Sequence, residues 1–415
     1  MPVTTRIEGQ ARDIIVYVGA FEFPAGNAAA QRALANALML RDLGYRVVLM
    51  GLSRQMSPGQ PPRRADHADV PFDCWETAFP GGMLDWFRRI TTIGEVRQVV
   101  GHYPPDQIAA VIAYDYPAVA QARLIRFCSS VGASAVAEVT EWYSVSRLVS
   151  PAALLRNIDR PLRMRVVNPR MDGLIVASRY LADFYRPNGR PVVVMPTLMS
   201  DPSPPAGQAS PDGAPKRLFF AGSGWDPAVV RETREGPKDR LDKVIEVLDA
   251  ALTLGADFRL DAYGVDRGGY LEIMPGHGPL LERLGDRVLF HGRQPREVVR
   301  ATLRDADFSI FLRKDSIVSR AGFPTKLAES VHFGTPVITN DVGDAALYQQ
   351  PGQTGFFIPY GDPLSGAHQL MPILSMSHAQ IAAAKAACLS SRLFFYESHA
   401  ERMGAFMGAV VEQAG

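Results

Sequence analysis

Short apolar runs and amphipathic stretches alternate along the chain, and this pattern predicts strands and helices in turn. Residues 13–18 form the first apolar run, which predicts a strand followed by a loop over residues 19–26. From Asn27 onward, small apolar residues return at the spacing that predicts a helix. Gly44 is expected to end this helix, and residues 46–50 predict the next strand. A strand–helix–strand unit of this kind predicts a parallel sheet.

The alternation continues on both sides of a segment that is rich in proline. Further strands are predicted at residues 108–113, 134–139, 173–177, 192–195, 217–221, 259–263, 288–290, 309–312, 336–339 and 356–358. Helices are predicted between them, including 240–254 and 296–305, and the tail 391–412 predicts an amphipathic helix. Residues 198–216 contain five prolines and two glycines, so they predict neither helix nor strand.

Two α/β domains follow from this pattern. The N-terminal domain is predicted to span residues 1–200, a linker residues 201–216, and the C-terminal domain residues 217–390. In sheets of this kind, ligands bind at the carboxyl ends of the strands. The loops that follow the strands are therefore expected to hold the functional residues.

Composition narrows the class of protein without identifying it. The 415 residues suit two domains, and 47% hydrophobic with 21% charged residues is typical of a globular protein with a large core. A net charge of +1 gives no overall field that favours nucleic acid. Three widely spaced cysteines argue against a disulfide framework and a cysteine-rich zinc site, which favours a reducing cytoplasm. We expect no metal ion, signal peptide or membrane-spanning segment, since their sequence patterns are missing.

Residues 322–338 carry the most informative motif. Gly322 begins a turn before a short predicted helix, for which Thr325 is the predicted N-cap. Lys326 and Glu329 are three residues apart, so they lie on one face of that helix. The lysine and the helix N-terminus suit an anion, and the glutamate suits hydroxyl groups, which together suit a diphosphate joined to ribose. The alternative is a surface ion pair between the two side chains, worth roughly 0.2–0.5 kcal/mol.

This string resembles the donor-binding element of family 4 glycosyltransferases of the GT-B fold. It is most similar to a bacterial capsule and exopolysaccharide subgroup, in which two arginines accompany the motif Ala-Gly-Phe-Pro-Thr-Lys and a glutamate. The matching residues here are Arg313, Arg320, Ala321, Gly322, Phe323, Pro324, Thr325, Lys326 and Glu329. The resemblance implies an α/β protein of the GT-B type, with two doubly wound Rossmann-like domains facing each other across a cleft. It also implies that the C-terminal helix, residues 391–415, packs back on the first domain.

One position departs from the wider family. Many members carry a glutamate eight residues before the equivalent of Glu329, but this chain has Ala321 there. The contact to the donor sugar that is usually assigned to that acid is therefore missing. Arg320 and the backbone amides of Gly322 and Phe323 are the candidates to replace it.

Loops after other predicted strands supply further candidates in the second domain. Gly222 lies in a Gly-Ser-Gly loop that fails the dinucleotide-binding pattern, because a proline stands at the third small position. The resemblance implies that this loop approaches the donor phosphates and that Lys238 and Arg240 contact them. The alternative for these two residues is a charged helix start. The resemblance also places the loop of His291 and Arg293 beside the nucleobase.

The first domain contributes two more candidate regions. The resemblance implies that the loop of Gly26 and Asn27, with Arg32 on the following helix, lies against the donor phosphate. Asn27 is also a good helix cap, and the two roles are compatible. Glu141, in a Glu-Trp-Tyr sequence after a predicted strand, is a candidate for catalysis or acceptor binding. Glu138 on that strand is a candidate for a buried structural acid.

A basic and apolar stretch follows this region. Residues 147–170 contain six arginines and the single acid Asp159, interleaved with large apolar residues. Such a surface suits anionic lipid or a lipid-linked diphosphate acceptor. A solvated helical hairpin is the alternative interpretation.

We therefore expect a retaining, metal-independent glycosyltransferase that uses a nucleotide-diphosphate sugar, with UDP or GDP as the nucleotide and no further cofactor. The resemblance implies a glycan or lipid-linked acceptor and a place in bacterial surface-polysaccharide assembly. Glu141, Lys326 and Lys238 are the expected catalytic residues. The protein is expected in the cytoplasm, with or without peripheral contact to the inner membrane. A GT-B epimerase or hydrolase, and a catalytically silent nucleotide-sugar-binding subunit, are the alternatives.

Overall fold

The chain divides into two compact units. The computed structural model describes residues 12–22, 27–68, 70–143, 151–232 and 236–412. Of these, the first unit contains the residues up to 143, residues 151–200 and those from 395 onward, and the second unit contains those within 201–394. The proline-rich residues 201–215 form neither helix nor strand and belong to the second unit. In the described part of the chain, no helix has the length and apolar character needed to cross a membrane.

The first unit is built around a large, mostly parallel sheet. Its strands are β1 (Ile14–Glu22), β2 (Arg46–Ser53), β3 (Arg63–Ala65), β4 (Asp73–Ala78), β5 (Ile108–Tyr114), β6 (Ser134–Val139), β7 (Gly173–Val176) and β8 (Val192–Val194). Its helices before the second unit are α1 (Ala28–Asp42), α2 (Met83–Thr91), α3 (Gly94–Val100), α4 (Ala118–Val131), α5 (Pro151–Leu162) and α6 (Arg179–Tyr185). The strand order is β3-β4-β2-β1-β5-β6-β7-β8, and the edge pair β3–β4 is antiparallel.

Burial explains which of these strands the sequence predicts. The central strands β1 and β5 are buried along nearly their whole length, as expected of a parallel sheet covered on both faces. Their sequences are therefore continuous apolar runs. The edge strand β3 is Arg-Arg-Ala, and β4 begins at Asp73 and mixes polar with apolar residues. The apolar pattern predicted neither of these two strands.

The second unit is built around a six-stranded parallel sheet. Its strands are β9 (Lys216–Ala221), β10 (Phe258–Tyr263), β11 (Val288–Phe290), β12 (Phe308–Ile310), β13 (Val337–Thr339) and β14 (Gly355–Phe357). Its helices are α7 (Pro227–Glu232), α8 (Leu241–Thr253), α9 (Arg267–Ile273), α10 (Gly278–Leu284), α11 (Arg296–Asp305), α12 (Ile317–Ala321), α13 (Thr325–His332), α14 (Ala345–Tyr348), α15 (Pro363–Leu374) and α16 (His378–Ser391). The strand order β11-β10-β9-β12-β13-β14 reverses direction between β9 and β12. Open α/β sheets bind ligands at such a reversal point.

Every strand predicted from the sequence overlaps an observed strand, but the predicted loop after β1 and the predicted tail helix have wrong boundaries. Strand β1 continues to Glu22, so the first half of the predicted loop 19–26 is extended chain. The tail is not one helix from residue 391, because α16 ends at Ser391 and Arg392 has a φ of +48°. A residue in this left-handed conformation interrupts a helix.

The C-terminal helix returns to the first unit. Helix α17 (Ala400–Glu412) follows a short turn and packs against α1. The Tyr396 hydroxyl donates to the Asp42 carboxylate at 3.0 Å, which fastens the start of this segment to the end of α1. Met403, Met407 and Val410 are fully buried on the side of α17 that joins the core of the first unit.

Candidate functional site

The strongest candidate site lies where the strand order of the second unit reverses. The chain after β12 carries Arg313, and the chain after β13 carries Asn340. The side-chain oxygen of Asn340 accepts from the Arg313 amide at 2.7 Å, and its side-chain nitrogen donates to the Arg313 carbonyl at 2.9 Å. These two bonds fix the backbone at the carboxyl end of β12. Asn340 was not among the predicted site residues, although its position directly after a predicted buried strand was the available signal.

Two cations and one carboxylate form a compact cluster at this point, which we call the Asp239 cluster: Asp239, Arg313 and Lys326. The Lys326 ammonium donates to one oxygen of Asp239, and Arg313 Nε donates to the other at 2.6 Å. The three side chains are only 10–17% exposed. Burial alone would raise the pKa of Asp239, but the charges and hydrogen bonds of Arg313 and Lys326 outweigh it and hold that pKa well below its ordinary value. The cluster therefore carries one net positive charge.

Backbone contacts hold Asp239 in place. Asp239 forms an isolated antiparallel bridge with Arg313, and the Arg240 amide donates to the Leu312 carbonyl at 2.7 Å. The Trp225 indole donates to the Asp239 carbonyl at 2.8 Å. The segment before α8 is thus attached to the end of β12. The sequence around Asp239 predicts no more than a charged helix start, because its partners Arg313 and Lys326 are 74 and 87 residues away in the chain.

A pocket of about 230 Å³ opens beside Lys326. Its lining residues are Phe219, Ala221, Gly222, Arg296, Val299, Arg300, Leu303, Thr325, Lys326, Glu329 and Ser330. The pocket therefore brings together four residues predicted for the donor site: Gly222, Thr325, Lys326 and Glu329. The lining combines basic with apolar side chains, which suits an anionic ligand with a flat or hydrophobic part.

Glu329 is available to a ligand in this pocket. Its side chain is half-buried, and the Glu329 carboxylate has no hydrogen-bond partner within the part of the chain that the structure describes. Its charge acts on Arg296, whose pKa is lowered mainly by burial. Lys326 pairs with Asp239 and not with Glu329, so the alternative of a Lys326–Glu329 surface ion pair is wrong.

The turn before α13 differs from the prediction in one detail. Thr325 is the first residue of α13, and the N-cap is Pro324, which has no side-chain acceptor. The prediction of Thr325 as the cap is therefore wrong by one position, because Pro324 already has the extended backbone of a cap residue. Gly322 caps the C-terminal end of α12.

Two other residues of the motif point away from the pocket lining. Phe323 is buried against Tyr348 and Phe394, with ring centroids 5.2 and 5.7 Å away. Its aromatic ring therefore belongs to the core. Arg320 is half-exposed and donates to the Asp315 carboxylate at 2.6 and 2.5 Å.

The loops after β9 and β10 approach each other closely at the pocket edge. The Gly222 amide donates to the Tyr263 carbonyl at 3.0 Å. Gly264 has a φ of +95°, and a Cβ at this residue would lie 2.5 Å from the Gly222 carbonyl oxygen. The close approach that positions the Gly222 backbone therefore requires glycine at residue 264.

The structure places Lys238 and Arg240 beside a second pocket, of about 260 Å³. The residues that line it are Gly236, Pro237, Lys238, Arg240, Lys314, Ser316, Val318 and Ser319. None of them lines the pocket beside Lys326. Arg240 also donates to Asp242 at 2.8 Å and to the Tyr360 hydroxyl at 3.3 Å.

His291 and Arg293 lie on the loop after β11 and also outside the lining of the Lys326 pocket. His291 stacks on Tyr263 with ring centroids 4.5 Å apart, and its Nε2 is 2.8 Å from the Asp261 carboxylate. Arg293 is exposed and donates to Asp226 at 2.8 Å. The His291 ring is thus held rigidly by an aromatic and a charged neighbour.

The N-terminal part of α1 is arranged around a buried ion pair in the first unit. Asn27 caps α1 as predicted, since its side chain accepts from the Ala30 amide at 2.8 Å. Arg32 is 4% exposed and its Nε donates to Glu138 at 2.5 Å. Arg32 also donates to the carbonyls of Met195 and Pro196, both at 2.8 Å. Arg32 is therefore a structural residue, which corrects the expectation that it lies on the donor phosphate.

Three further predictions concern residues of the first unit: Glu138, Gly26 and Glu141. Glu138 is a buried acid with a partner, as predicted. Gly26 lies outside the described residues. Glu141 is half-exposed directly after β6. The neighbouring Trp142 packs edge-on against Tyr180 and Phe184, with centroids 6.0 and 5.1 Å away.

Tyr143 completes this region. Its ring lies below the guanidinium groups of Arg160 and Arg163, 4.4 and 5.1 Å from the ring centroid. Burial raises the pKa of the Tyr143 hydroxyl well above its ordinary value, so the phenol stays neutral. The aromatic residues beside Glu141 are thus engaged within the protein.

Solved structures with the same architecture define the class of fold. A sucrose-phosphate synthase from Thermosynechococcus elongatus is 17% identical and covers 95% of this chain and 98% of its own, with a TM-score of 0.61. An α,α-trehalose 6-phosphate synthase from Burkholderia multivorans is 12% identical, with 97% and 100% coverage and a TM-score of 0.63. A pneumococcal O-GlcNAc transferase in complex with UDP and GlcNAc is 12% identical, with 96% and 99% coverage and a TM-score of 0.56. The chain therefore has the GT-B fold of two Rossmann-like α/β units.

The sequence match is confined to the second unit. Residues 228–376 match the family model described as Glycosyl transferases group 1, so this part of the chain is a domain of that kind. The range contains the whole Asp239 cluster and Glu329. No curated protein sequence matches the chain significantly. Family match and fold together support glycosyl transfer as the class of activity, and the narrower resemblance to a capsule subgroup stays a prediction.

Proposed function

We propose that the protein is a retaining glycosyltransferase that takes a sugar from a nucleotide-diphosphate donor. The observation that carries the proposal is Lys326, paired with Asp239, beside Glu329 in the pocket at the reversal point of a glycosyl transferases group 1 domain. The Lys326 ammonium is suited to the diphosphate. The Glu329 carboxylate, which has no hydrogen-bond partner among the described residues, is suited to the ribose hydroxyls. UDP and GDP are the nucleotides that we expect.

The proposed reaction requires stabilisation of the departing diphosphate. Its negative charge grows as the bond to the sugar breaks, so a cation fixed in advance lowers the barrier. Lys326 is such a cation, because Asp239 holds its ammonium in place. Among the described residues, no side chain caps the first backbone N–H groups of α13, and its first residue, Thr325, lines the same pocket. Protein groups thus supply the positive charge, and the proposal includes no metal ion.

The remaining parts of the proposal rest on the sequence resemblance. Glu141 and the loop of Gly26 are the proposed contributions of the first unit to acceptor and catalysis. Lys238, beside the second pocket, is the proposed second phosphate contact. We propose a glycan or lipid-linked acceptor, a cytoplasmic location and a role in bacterial surface-polysaccharide synthesis.

Replacement of Lys326 by alanine tests the site. The affinity for a nucleoside diphosphate should fall roughly tenfold or more, since a charge-assisted hydrogen bond contributes about 1.5–3 kcal/mol. The affinity for the bare nucleoside should change little. Calorimetric titration of UDP, GDP and their nucleosides measures both values, and Lys243→Ala on α8 is a control, because Lys243 pairs with Glu246 outside the pocket. Equal losses of affinity for the nucleoside and for the nucleoside diphosphate would contradict a role of Lys326 in phosphate binding.

One observation favours a second candidate function, a silent nucleotide-sugar-binding subunit. Ala321, at the position where many related transferases carry an acid, is fully buried at the end of α12. It cannot replace the missing contact to the donor sugar. A protein that binds the nucleotide sugar tightly but neither transfers nor hydrolyses the sugar would fit this alternative.

A further inference from the structure

Exposed apolar side chains are concentrated on one part of the first unit. Fifteen large hydrophobic residues are exposed in the described part of the chain, and nine of them belong to the first unit. All nine lie on α2, on α4, or on α5 and its continuation Arg163–Val167. They are Met83, Leu84, Phe87, Val119, Leu154, Leu155, Ile158, Leu162 and Val166. We call these residues the apolar patch.

The patch follows helical geometry. Leu154, Ile158, Leu162 and Val166 recur every four residues, so they form a stripe along α5 and its continuation. On α2, Met83, Leu84 and Phe87 are 73, 76 and 54% exposed, and no residue of this helix is fully buried. A strongly amphipathic helix normally turns its apolar face to the core. Both helices instead present apolar residues to the solvent.

Helix α4 connects the two stripes into one surface. It packs against α2 and against α5 with its continuation. Arg123 on α4 donates to the Thr91 carbonyl at the end of α2, and the Ala118 amide donates to Asp159 on α5 at 2.8 Å. The outward side of α4 carries Val119, Arg123 and Arg126. The apolar patch is therefore continuous across three neighbouring helices.

The charges around the apolar patch favour an anionic partner. Four exposed arginines lie on these helices: Arg88, Arg123, Arg126 and Arg165. The two acids of the same helices, Asp85 and Asp159, are half-buried, and Asp159 is already bonded to α4. An apolar surface among arginines suits a layer of acyl chains below anionic headgroups. A second copy of the same surface would bring like charges together.

We propose that the apolar patch docks the first unit on the surface of an anionic lipid bilayer, with α2 and α5 lying in the interface and α4 between them. The proposal extends the expectation for residues 147–170 to α2 and α4, which the sequence analysis did not consider. It does not depend on glycosyl transfer, because the patch shares no residue with the pocket of the second unit.

Vesicle co-sedimentation of the full chain tests the proposal. We expect binding to vesicles of equal parts phosphatidylglycerol and phosphatidylcholine, and much weaker binding to phosphatidylcholine alone. Phe87→Glu and Ile158→Glu should each raise the lipid concentration for half-binding roughly tenfold or more, since each places a charge in the apolar layer. Leu364→Glu, at a residue of the second unit with similar exposure, should bind as the wild type does. Arg126→Gln should weaken binding, whereas Arg287→Gln on the second unit should not.

Several results would overturn the proposal. These are equal binding to neutral and anionic vesicles, no vesicle binding by the wild type, and glutamate variants that bind as Leu364→Glu does. Sedimentation analysis of the same proteins without lipid tests whether a second copy of the chain covers the apolar patch instead of a bilayer. A wild-type dimer that Ile158→Glu dissociates, without vesicle binding, would assign the patch to a second copy. Circular dichroism and thermal unfolding of each variant without lipid serve as the folding control. Neither measurement depends on nucleotide binding, so this outcome is separate from failure of the proposed function.

Discussion

At the scale of residues, Asp239 is the central finding of the candidate site. Its carboxylate accepts from both Lys326 and Arg313, and the two cations outweigh burial in setting its pKa. A carboxyl group whose pKa is lowered in the folded state stabilises the protein at every pH above the ordinary carboxyl pKa. That contribution is lost as the pH falls from the ordinary carboxyl pKa towards the lowered value. The Asp239 cluster is therefore both a part of the proposed binding site and an acid-sensitive stabilising feature.

Asp239→Asn separates these two roles. Removal of the charge leaves Lys326 and Arg313 next to each other without an anion, so the free energy of unfolding at neutral pH should fall by about 1–3 kcal/mol. A nucleoside diphosphate should stabilise the variant more than it stabilises the wild type, because its phosphates replace the missing anion. Denaturant unfolding with and without UDP or GDP measures both effects.

Two controls complete this experiment. The acid-induced loss of stability should be smaller in Asp239→Asn than in the wild type, since the titrating carboxyl is gone. Asp315→Asn removes the partner of Arg320 on the exposed surface and should change stability little. Unchanged stability of Asp239→Asn at neutral pH would contradict the interpretation of the cluster.

At the scale of elements, the apolar pattern predicts the strands because parallel strands are buried on both faces. It fails at β3 and β4, which are short and partly polar. It also fails for the Asp239 cluster, since Asp239 and Lys326 are 87 residues apart and meet only through the strand order. Lys326 and Glu329 could be selected because one helix turn places them together. The prediction that Arg32 lies on the donor phosphate was wrong, because the sequence does not show that Arg32 forms a buried ion pair with Glu138.

The close contact between the loops after β9 and β10 gives a prediction at this scale. Gly264→Ala should lower the free energy of unfolding by about 1–3 kcal/mol and weaken nucleotide binding, because the new Cβ displaces the Gly222 carbonyl. Gly255→Ala is a matched control: Gly255 has a φ of +89°, but no atom lies within 4 Å of its added Cβ. The free energy of unfolding should fall less in Gly255→Ala, and this smaller decrease measures the backbone strain alone. If both variants behave alike in unfolding and in titration with nucleotide, the loop contact has no role in binding.

At the scale of the whole molecule, the proposed transfer requires both units, whereas nucleotide binding requires the second unit. Glu141→Ala should therefore reduce turnover roughly tenfold or more, as expected for a group that acts in the reaction. The affinity for the nucleotide should stay within about threefold. Product formation with the donor sugar and a lipid-linked or oligosaccharide acceptor, beside calorimetric binding, provides the two measurements.

The control for this prediction is Glu401→Ala, which removes an exposed acid from α17 of the first unit and should leave turnover unchanged. Equal turnover in Glu141→Ala and wild type would exclude Glu141 from catalysis. A wild type that binds donor but forms neither transfer nor hydrolysis product would support the binding-subunit alternative.

The pairing of Lys326 with Asp239 has a consequence for how a catalytic cycle would close. An ammonium that binds an anionic diphosphate product without competition tends to retain it, and release then limits turnover. Here a carboxylate of the same chain lies within hydrogen-bond reach of that ammonium. Because the carboxylate is tethered, its effective concentration is high and does not depend on the ions in solution. In the proposed cycle, Asp239 would stay bonded to Lys326 throughout and share its positive charge with the spent nucleotide, which would ease release without moving the ammonium.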